Sequence, residues 1–220
     1  MNYGFFRTAA ASLKLRVADP NYNKEEIKKA IDKAVSEDVR LLVTPELSIT
    51  GYTCADLFFT KQLQNSAEQA LCEIVNYTVG KNIVLLVGMP VPFYNSLYNC
   101  AVVINDGRIC GIVPKKHIAN YNEFYEKRWF ASGSQFESCQ PVNLCGCDTL
   151  IGSQIFDLGD GAVLGVELCE DLWVPSPPSS ALVCHGANII ANLSASDEYV
   201  SKAEYRRDLI ANQSARCVCS

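Results

Sequence analysis

Three side chains that could do chemistry each follow the end of an apolar run. Val43 precedes Glu46, Val113 precedes Lys115, and Leu168 precedes Cys169. If the runs are strands that share a sheet and a direction, the three side chains can meet at one edge.

A cysteine supplied with a base and a cation is a complete set for splitting an amide. Glu46 would take the thiol proton, and Cys169 would attack the carbonyl carbon. Lys115 would stabilise the thiolate and the oxyanion that develops. The set needs no histidine, which suits a chain with two.

Each member also has an ordinary structural interpretation. Glu170 and Asp171 follow Cys169 directly and would raise its pKa unless a cation lies nearby. On local sequence alone, Cys169 is more simply an inert core cysteine. Taken alone, Glu46 is typical of a surface residue or a helix cap. Residues 115–117 are likewise typical of a solvated basic turn. The combination is therefore more informative than any one residue.

The composition predicts one globular domain over residues 1–220. Hydrophobic residues make up 49% of the chain and charged residues 20%, which argues against disorder. A net charge of -5 gives no electrostatic footprint for nucleic acid or an anionic membrane surface. No run has the length of a secretion signal's apolar core or of a membrane span, so we expect a cytoplasmic protein.

The eleven cysteines are expected to be reduced thiols in that setting, and an odd number cannot pair completely within one chain. The pairs Cys145–Cys147 and Cys217–Cys219 have one intervening residue, whereas common zinc knuckles have two. We therefore expect no metal site.

Strands and helices alternate in a way that predicts a layered α/β fold with antiparallel hairpins mixed in. A helix should begin at Asn23, capped by that residue with Glu26 three positions later. Further helices are expected over residues 63–79 and 199–211, and a loop with a short helix over 120–134. Strands are predicted over residues 5–12, 40–44, 82–88, 97–104, 108–113, 151–158, 162–166 and 187–193, with one more beginning at 216. Because the chain stops as that last strand opens, we expect the natural sequence to continue.

Three segments resemble the signatures of the nitrilase superfamily, in the right order. They are residues 44–52, 114–130 and 165–173. The stretch from Phe124 to Phe130 and Cys169-Glu-Asp-Leu-Trp173 are similar to one branch, the glutaminase domains of glutamine-dependent NAD+ synthetases. The similarity extends through Ser196 and so covers nearly the whole chain.

The resemblance implies a nitrilase-like α-β-β-α sandwich of mixed sheets that lacks its last strands. It implies hydrolysis of glutamine to glutamate and ammonia through a thioester on Cys169, with Glu46 as general base and Lys115 stabilising the oxyanion. That reaction uses no cofactor. The ammonia would serve a C-terminal NAD synthetase domain, absent from this chain, that uses ATP and Mg²⁺ to amidate deamido-NAD. Family members also associate as homo-oligomers.

The same motifs imply a substrate site. Tyr52, Tyr121 and Phe124 would lie near the catalytic centre, and Glu170 and Ser196 would bind the α-amino and α-carboxylate groups. The family often has an arginine six residues after this serine, where this chain has Lys202; Arg206 is a second candidate for the carboxylate. The lysine motif also departs from the family, with Ala119 in place of a proline.

Two other functions stay open on sequence alone. One is a free-standing nitrilase-type amidase acting on another small amide or carbamoyl compound. The other is a structural or interaction module whose cysteines fill the core. The sequence contains no Ser-Gly-Gly pyrophosphate loop, so the proposed synthetase chemistry would have to come from another part of the protein.

Overall fold

The computed structural model describes residues 5–220 as two sheets and four α-helices. In the seven-stranded sheet, the order is β1 (Thr8–Ala10), β2 (Leu41–Val43), β3 (Val84–Phe93), β4 (Ser96–Asn105), β5 (Arg108–Pro114), β7 (Cys147–Ile151) and β6 (Gln140–Leu144). The three-stranded sheet has the order β10 (Ile189–Leu193), β9 (Val163–Leu168) and β8 (Ile155–Asp157). The helices are α1 (Pro20–Ser36), α2 (Lys61–Tyr77), α3 (Pro178–Cys184) and α4 (Lys202–Cys217).

Alternate residues of β3 face two different cores. Leu85 and Val87 pack in a core that includes Ile27 of α1 and Leu71 of α2. Leu86, between them, packs with Leu164 and Val166 of β9 in a core between the sheets. On the far side α3 contacts β9, and α4 contacts α3. The predicted α-β-β-α layering is confirmed.

Helix α1 begins three residues earlier than predicted. Asp19 is the cap, accepting a hydrogen bond from the backbone N–H of Tyr22 at 3.1 Å, and Pro20 occupies the first turn. Asn23 is buried inside the helix. Its side chain bonds the backbone of Arg16 and the carbonyl of Ile49, so its amide ties the helix to two loops.

The prediction for residues 140–151 missed a hairpin. Strands β6 and β7 pair there through a turn at Cys145 and Gly146, both with positive φ. Strand β8 lies antiparallel to β9, the strand that directly precedes Cys169.

The strand expected from residue 216 is wrong, because α4 continues to Cys217. The side chain of Gln213, near its end, donates hydrogen bonds to Ser179 and Ser180 and so holds the helix on α3. Only Ser220 reaches the sheet: its N–H donates to Asn188, and its carbonyl accepts from Ile190 of β10.

Cys72 of α2 and Cys145 form a disulfide, so the expectation of eleven reduced thiols is wrong for this pair. The two Cα atoms lie 5.3 Å apart although 73 positions separate them in sequence. No helix within residues 5–220 is long and apolar enough to cross a membrane. The same residues contain no cluster of histidine, cysteine or acidic side chains suited to a metal ion.

Gly88 of β3 allows the loop after β2 to lie directly against the sheet. A Cβ atom at this position would be 2.3 Å from the backbone nitrogen of Leu47 and 2.7 Å from the carbonyl oxygen of Pro45. Both neighbours are backbone atoms, so they can move only if the loop moves. Any side chain at residue 88 would therefore displace Glu46, which lies between them.

We expect Gly88→Ala to lower the free energy of unfolding by about 3 kcal/mol, the upper part of the usual range for overpacking. The control is Gly80→Ala: Gly80 has a φ of +71° and no atom within 4 Å of an added Cβ. Its cost should be about 1 kcal/mol, from the left-handed backbone alone. Urea unfolding of the three proteins measures both costs. Equal losses in the two variants would contradict the close approach.

Candidate active site

Glu46, Lys115 and Cys169 meet at one end of the sandwich. Glu46 and Lys115 follow β2 and β5, which run in the same direction because two antiparallel pairings separate β3 from β5. Cys169 follows β9 of the other sheet, so the expectation that all three strands share one sheet is wrong. All three residues are buried, with exposed fractions of 1%, 0% and 7%. The structure thus brings together the three residues proposed from the strand ends.

One lysine ammonium lies between two carboxylates. Lys115 Nζ is 2.7 Å from Glu46 Oε1 and 2.8 Å from Glu126 Oε1. Glu46 Oε1 also accepts from Asn99 Nδ2 at 2.7 Å, and its Oε2 accepts from the backbone N–H of Ala195 at 3.2 Å. Hydrogen bonds therefore fix both Glu46 oxygens, and the Lys115 charge is shared between Glu46 and Glu126.

The backbone of Lys115 is fixed on both sides. Its N–H donates to the carbonyl of Asn99 at 2.8 Å, and its carbonyl accepts from Gly133 N–H at 2.7 Å. A Cβ at Gly133 would be 2.7 Å from the carbonyl oxygen of Pro114. The absence of a side chain at Gly133 thus lets the following loop close over Lys115.

Cys169 is held in a tight turn between β9 and a one-turn 3₁₀ helix, Cys169–Leu172. Its φ is +41°, a conformation that is costly for a residue with a side chain. Its N–H donates to Asn192 Oδ1 on β10 at 3.1 Å. The strained turn aims the thiol at the junction of the two sheets.

Burial raises the pKa of the Cys169 thiol to about 12, and the Glu46 carboxylate adds to the rise. Lys115, Ser194 and the backbone of Ala195 act in the opposite direction. The main causes are thus burial and Glu46, whereas the sequence had pointed to Glu170 and Asp171. The thiol is neutral near pH 7 and becomes a nucleophile only when a base takes its proton.

The charges around Lys115 keep it protonated. Burial alone would lower the pKa of its ammonium, but Glu46, the Cys169 sulfur and Glu126 together raise it above its usual range. Burial and the nearby Glu46 raise the pKa of Glu126. Tyr52 donates its hydroxyl to Glu126 Oε1 at 2.5 Å, which places the predicted residue Tyr52 behind the ion pairs.

Asp171 ties the lysine loop to the cysteine turn. Its buried carboxylate accepts from the backbone N–H groups of Lys116, His117 and Leu168, the last two at 2.8 and 3.0 Å. It also lies 2.9 Å from Nδ1 of His117. From the sequence, the Asp171 carboxylate was expected to raise the thiol pKa. In the structure it instead accepts backbone N–H groups and so joins the lysine loop to the cysteine turn.

A cavity of about 90 Å³ opens onto Cys169. Five of the six residues predicted for substrate binding line it, namely Tyr121, Phe124, Glu170, Ser196 and Lys202. The sixth, Tyr52, packs edge-on against Phe124 with ring centroids 6.5 Å apart. The hydroxyl of Tyr121 donates to Glu170 Oε2 at 2.8 Å across the cavity wall.

Lys202, and not Arg206, reaches this cavity. Its ammonium is paired with Asp197 and lies 4.9 Å from the ring centroid of Tyr199. Arg206 pairs with Glu198 and is absent from the cavity lining. Of the two residues considered for a substrate carboxylate, the geometry favours Lys202.

Sequence reasoning missed Glu126, Asn99 and Asn192 as parts of the site. Glu126 lies in the long aromatic segment and shows no local signal of burial, yet its exposed fraction is 1%. Asn99 and Asn192 lie inside apolar strands. A lone amide in an apolar strand was the one sequence signal that could have pointed to them, since buried polar groups require partners.

The chain matches a known protein family and is similar to curated proteins. The family model described as carbon-nitrogen hydrolase matches residues 7–218. The glutamine-dependent NAD(+) synthetase of Mycobacterium tuberculosis is 36% identical over 221 residues, which cover 99% of this chain and 32% of that protein. The chain thus spans about a third of the length of this curated relative.

Two solved structures are similar. A glutamine-dependent NAD(+) synthetase from Cytophaga hutchinsonii has a TM-score of 0.86 and 28% identity, covering 97% of this chain and 34% of that one. An amidase from Nesterenkonia sp. has a TM-score of 0.73 and 19% identity, covering 97% and 73%. The second likeness shows a shared fold.

His117 should titrate above its reference pKa of 6.5. The hydrogen bond to Asp171 raises its pKa, and partial burial only partly opposes it. Folding then favours the protonated ring, so its contribution to stability is complete below pH 6.5 and is lost as pH rises through the folded-state pKa. An NMR titration of the ring should give a midpoint above 6.5, lowered again in Asp171→Asn. A midpoint at or below 6.5 in the unchanged protein would contradict the pairing.

Proposed function

The chain belongs to the carbon-nitrogen hydrolase family, and we propose that it hydrolyses L-glutamine to glutamate and ammonia. The observation that carries the proposal is the buried junction of Glu46, Lys115 and Cys169 beside a cavity with an acid, Glu170, and a cation, Lys202. The first three groups suit amide cleavage. The last two suit an amino acid that carries both charges.

In the first half-reaction Glu46 takes the thiol proton as the Cys169 sulfur attacks the carbonyl carbon of the amide. This proton transfer is required because the thiol is neutral near pH 7. Lys115 stabilises the oxyanion of the tetrahedral intermediate. Protonated Glu46 then gives its proton to the amide nitrogen, the C–N bond breaks, and ammonia leaves a thioester on Cys169.

In the second half-reaction water attacks the thioester carbon while Glu46 accepts its proton. The C–S bond breaks, and the proton returns to the sulfur as glutamate leaves. The sequence of steps uses these side chains and water alone, so we propose that the hydrolysis needs no cofactor. Glu126, which shares the ammonium of Lys115, keeps that lysine in place.

The cavity supports glutamine rather than an uncharged amide. We propose that Glu170 binds the α-ammonium group in place of the Tyr121 hydroxyl that it accepts now. Lys202 and Ser196 would bind the α-carboxylate, and Lys202 would exchange Asp197 for the substrate. Phe124 would pack along the substrate's methylene groups, and Tyr52 would support its ring from behind.

The similarity to glutamine-dependent NAD(+) synthetases supports a destination for the ammonia. We propose that it is used in the ATP- and Mg²⁺-dependent amidation of deamido-NAD by a synthetase domain outside these 220 residues. A cytoplasmic location and association as a homo-oligomer are part of the same proposal. The sequence identity to the mycobacterial relative favours this use of the ammonia over the activity of a free-standing amidase.

An electrophilic glutamine analogue should label Cys169 and none of the other thiols. Site-mapped mass spectrometry should show labelling slowed at least about a hundredfold in Glu46→Gln and in Lys115→Met, the usual scale for losing a general base or an oxyanion partner. Cys184→Ser, which removes an exposed cysteine, is the control and should label as the unchanged protein does. Slow labelling spread over several cysteines would refute the proposed site.

Glu170→Gln should raise the KM for glutamine about tenfold or more while kcat changes little, because the lost charge contacts a part of the substrate that does not react. Steady-state ammonia release measures both constants. Glu123→Gln is the matched control, since Glu123 lines the same cavity without the bond from Tyr121. Unchanged constants in Glu170→Gln would remove Glu170 from the substrate site.

A further inference from the structure

Asn99 contacts both halves of the buried ion pair. It lies on β4 with an exposed fraction of 0%. Its side-chain Nδ2 donates to Glu46 Oε1 at 2.7 Å, and its backbone carbonyl accepts from the N–H of Lys115 at 2.8 Å. One strand residue thus joins the proposed base to the proposed oxyanion partner.

The amide of Asn99 is only half satisfied. Its Oδ1 is buried and has no hydrogen-bond donor among the described residues. Asn23 is an internal comparison: it is equally buried, but its Oδ1 accepts from Arg16 and its Nδ2 donates to two carbonyls. A buried carbonyl without a donor destabilises the fold. Stability alone therefore explains Asn23 and does not explain Asn99.

We propose that Asn99 is a positioning residue that orients the Glu46 carboxylate toward the Cys169 thiol; this rests on the proposed role of Glu46 as the general base. Oε1 of Glu46 is occupied by Asn99 and Lys115. Oε2 accepts from Ala195 N–H, which also lies beside the Cys169 sulfur. The arrangement presents Oε2 to the thiol as the oxygen that takes the proton.

The other groups that hold Glu46 do not replace this donor. Lys115 also binds Glu126, and the N–H of Ala195 reaches only Oε2. Removing Asn99 should therefore leave a Glu46 carboxylate that is less firmly oriented toward the thiol.

The test is Asn99→Leu in the full chain, followed by two rate measurements. One is steady-state ammonia release from glutamine, and the other is Cys169 alkylation by chloroacetamide, because Glu46 takes the thiol proton in both. We expect kcat and the alkylation rate each to fall about tenfold, with KM changed less than about twofold.

Asn23→Leu is the matched control. It should lower Tm more than Asn99→Leu does, because it loses satisfied hydrogen bonds, while its kcat and alkylation rate stay close to those of the unchanged protein. If Asn99→Leu does not fold, Asn99→Ser provides a smaller change, with both rates expected to fall in the same way.

A folded Asn99 variant with unchanged kcat and alkylation rate would overturn the inference, and so would an equal loss of both rates in Asn23→Leu. Failure of the proposed function gives a different result. If the unchanged protein does not release ammonia from glutamine, the glutaminase proposal fails, whereas the alkylation rate still decides the role of Asn99.

Discussion

The structure depends on one buried cation placed between two buried carboxylates. Lys115, Glu46 and Glu126 are almost wholly removed from solvent, and an unpaired charge in such a place is strongly destabilising. The three loops that carry these residues must therefore fold cooperatively, because a loop left out would leave a buried charge unpaired. The bare backbones of Gly88 and Gly133 allow two of those loops to approach, and Asp171 joins the lysine loop to the turn of Cys169.

The arrangement also explains why a cysteine can be flanked by acids and still lie in a reactive site. Each neighbouring carboxylate is already engaged: Asp171 accepts backbone N–H groups, and Glu170 accepts the hydroxyl of Tyr121. What raises the thiol pKa is burial and the proposed base itself. The proton thus stays on the sulfur near pH 7 until a base removes it.

Much of the site could be predicted because its chief residues follow strands, and the carboxyl ends of like-directed strands meet at one edge. Glu46 and Lys115 met this rule, whereas Cys169 follows a strand of the second sheet and joins them through the packing of the two sheets. Glu126 could not be found this way, since it comes from an irregular segment whose burial is decided by the ion pair. The β6–β7 hairpin was missed because its strands have only five residues each and are only partly buried. Cys72 and Cys145 become neighbours only through tertiary packing, to which local patterns are blind.

The disulfide between Cys72 and Cys145 separates the site residues into two groups along the chain. The chain between these cysteines forms a closed covalent ring that contains Asn99, Lys115 and Glu126, while Glu46 and Cys169 lie on the two open arms outside it. In the chain-entropy account, a ring of this size disfavours the unfolded state by about 4 kcal/mol. A single cut in the aromatic segment around Glu126 would leave both pieces joined, so the lysine and its partners stay tethered to each other even in a nicked molecule.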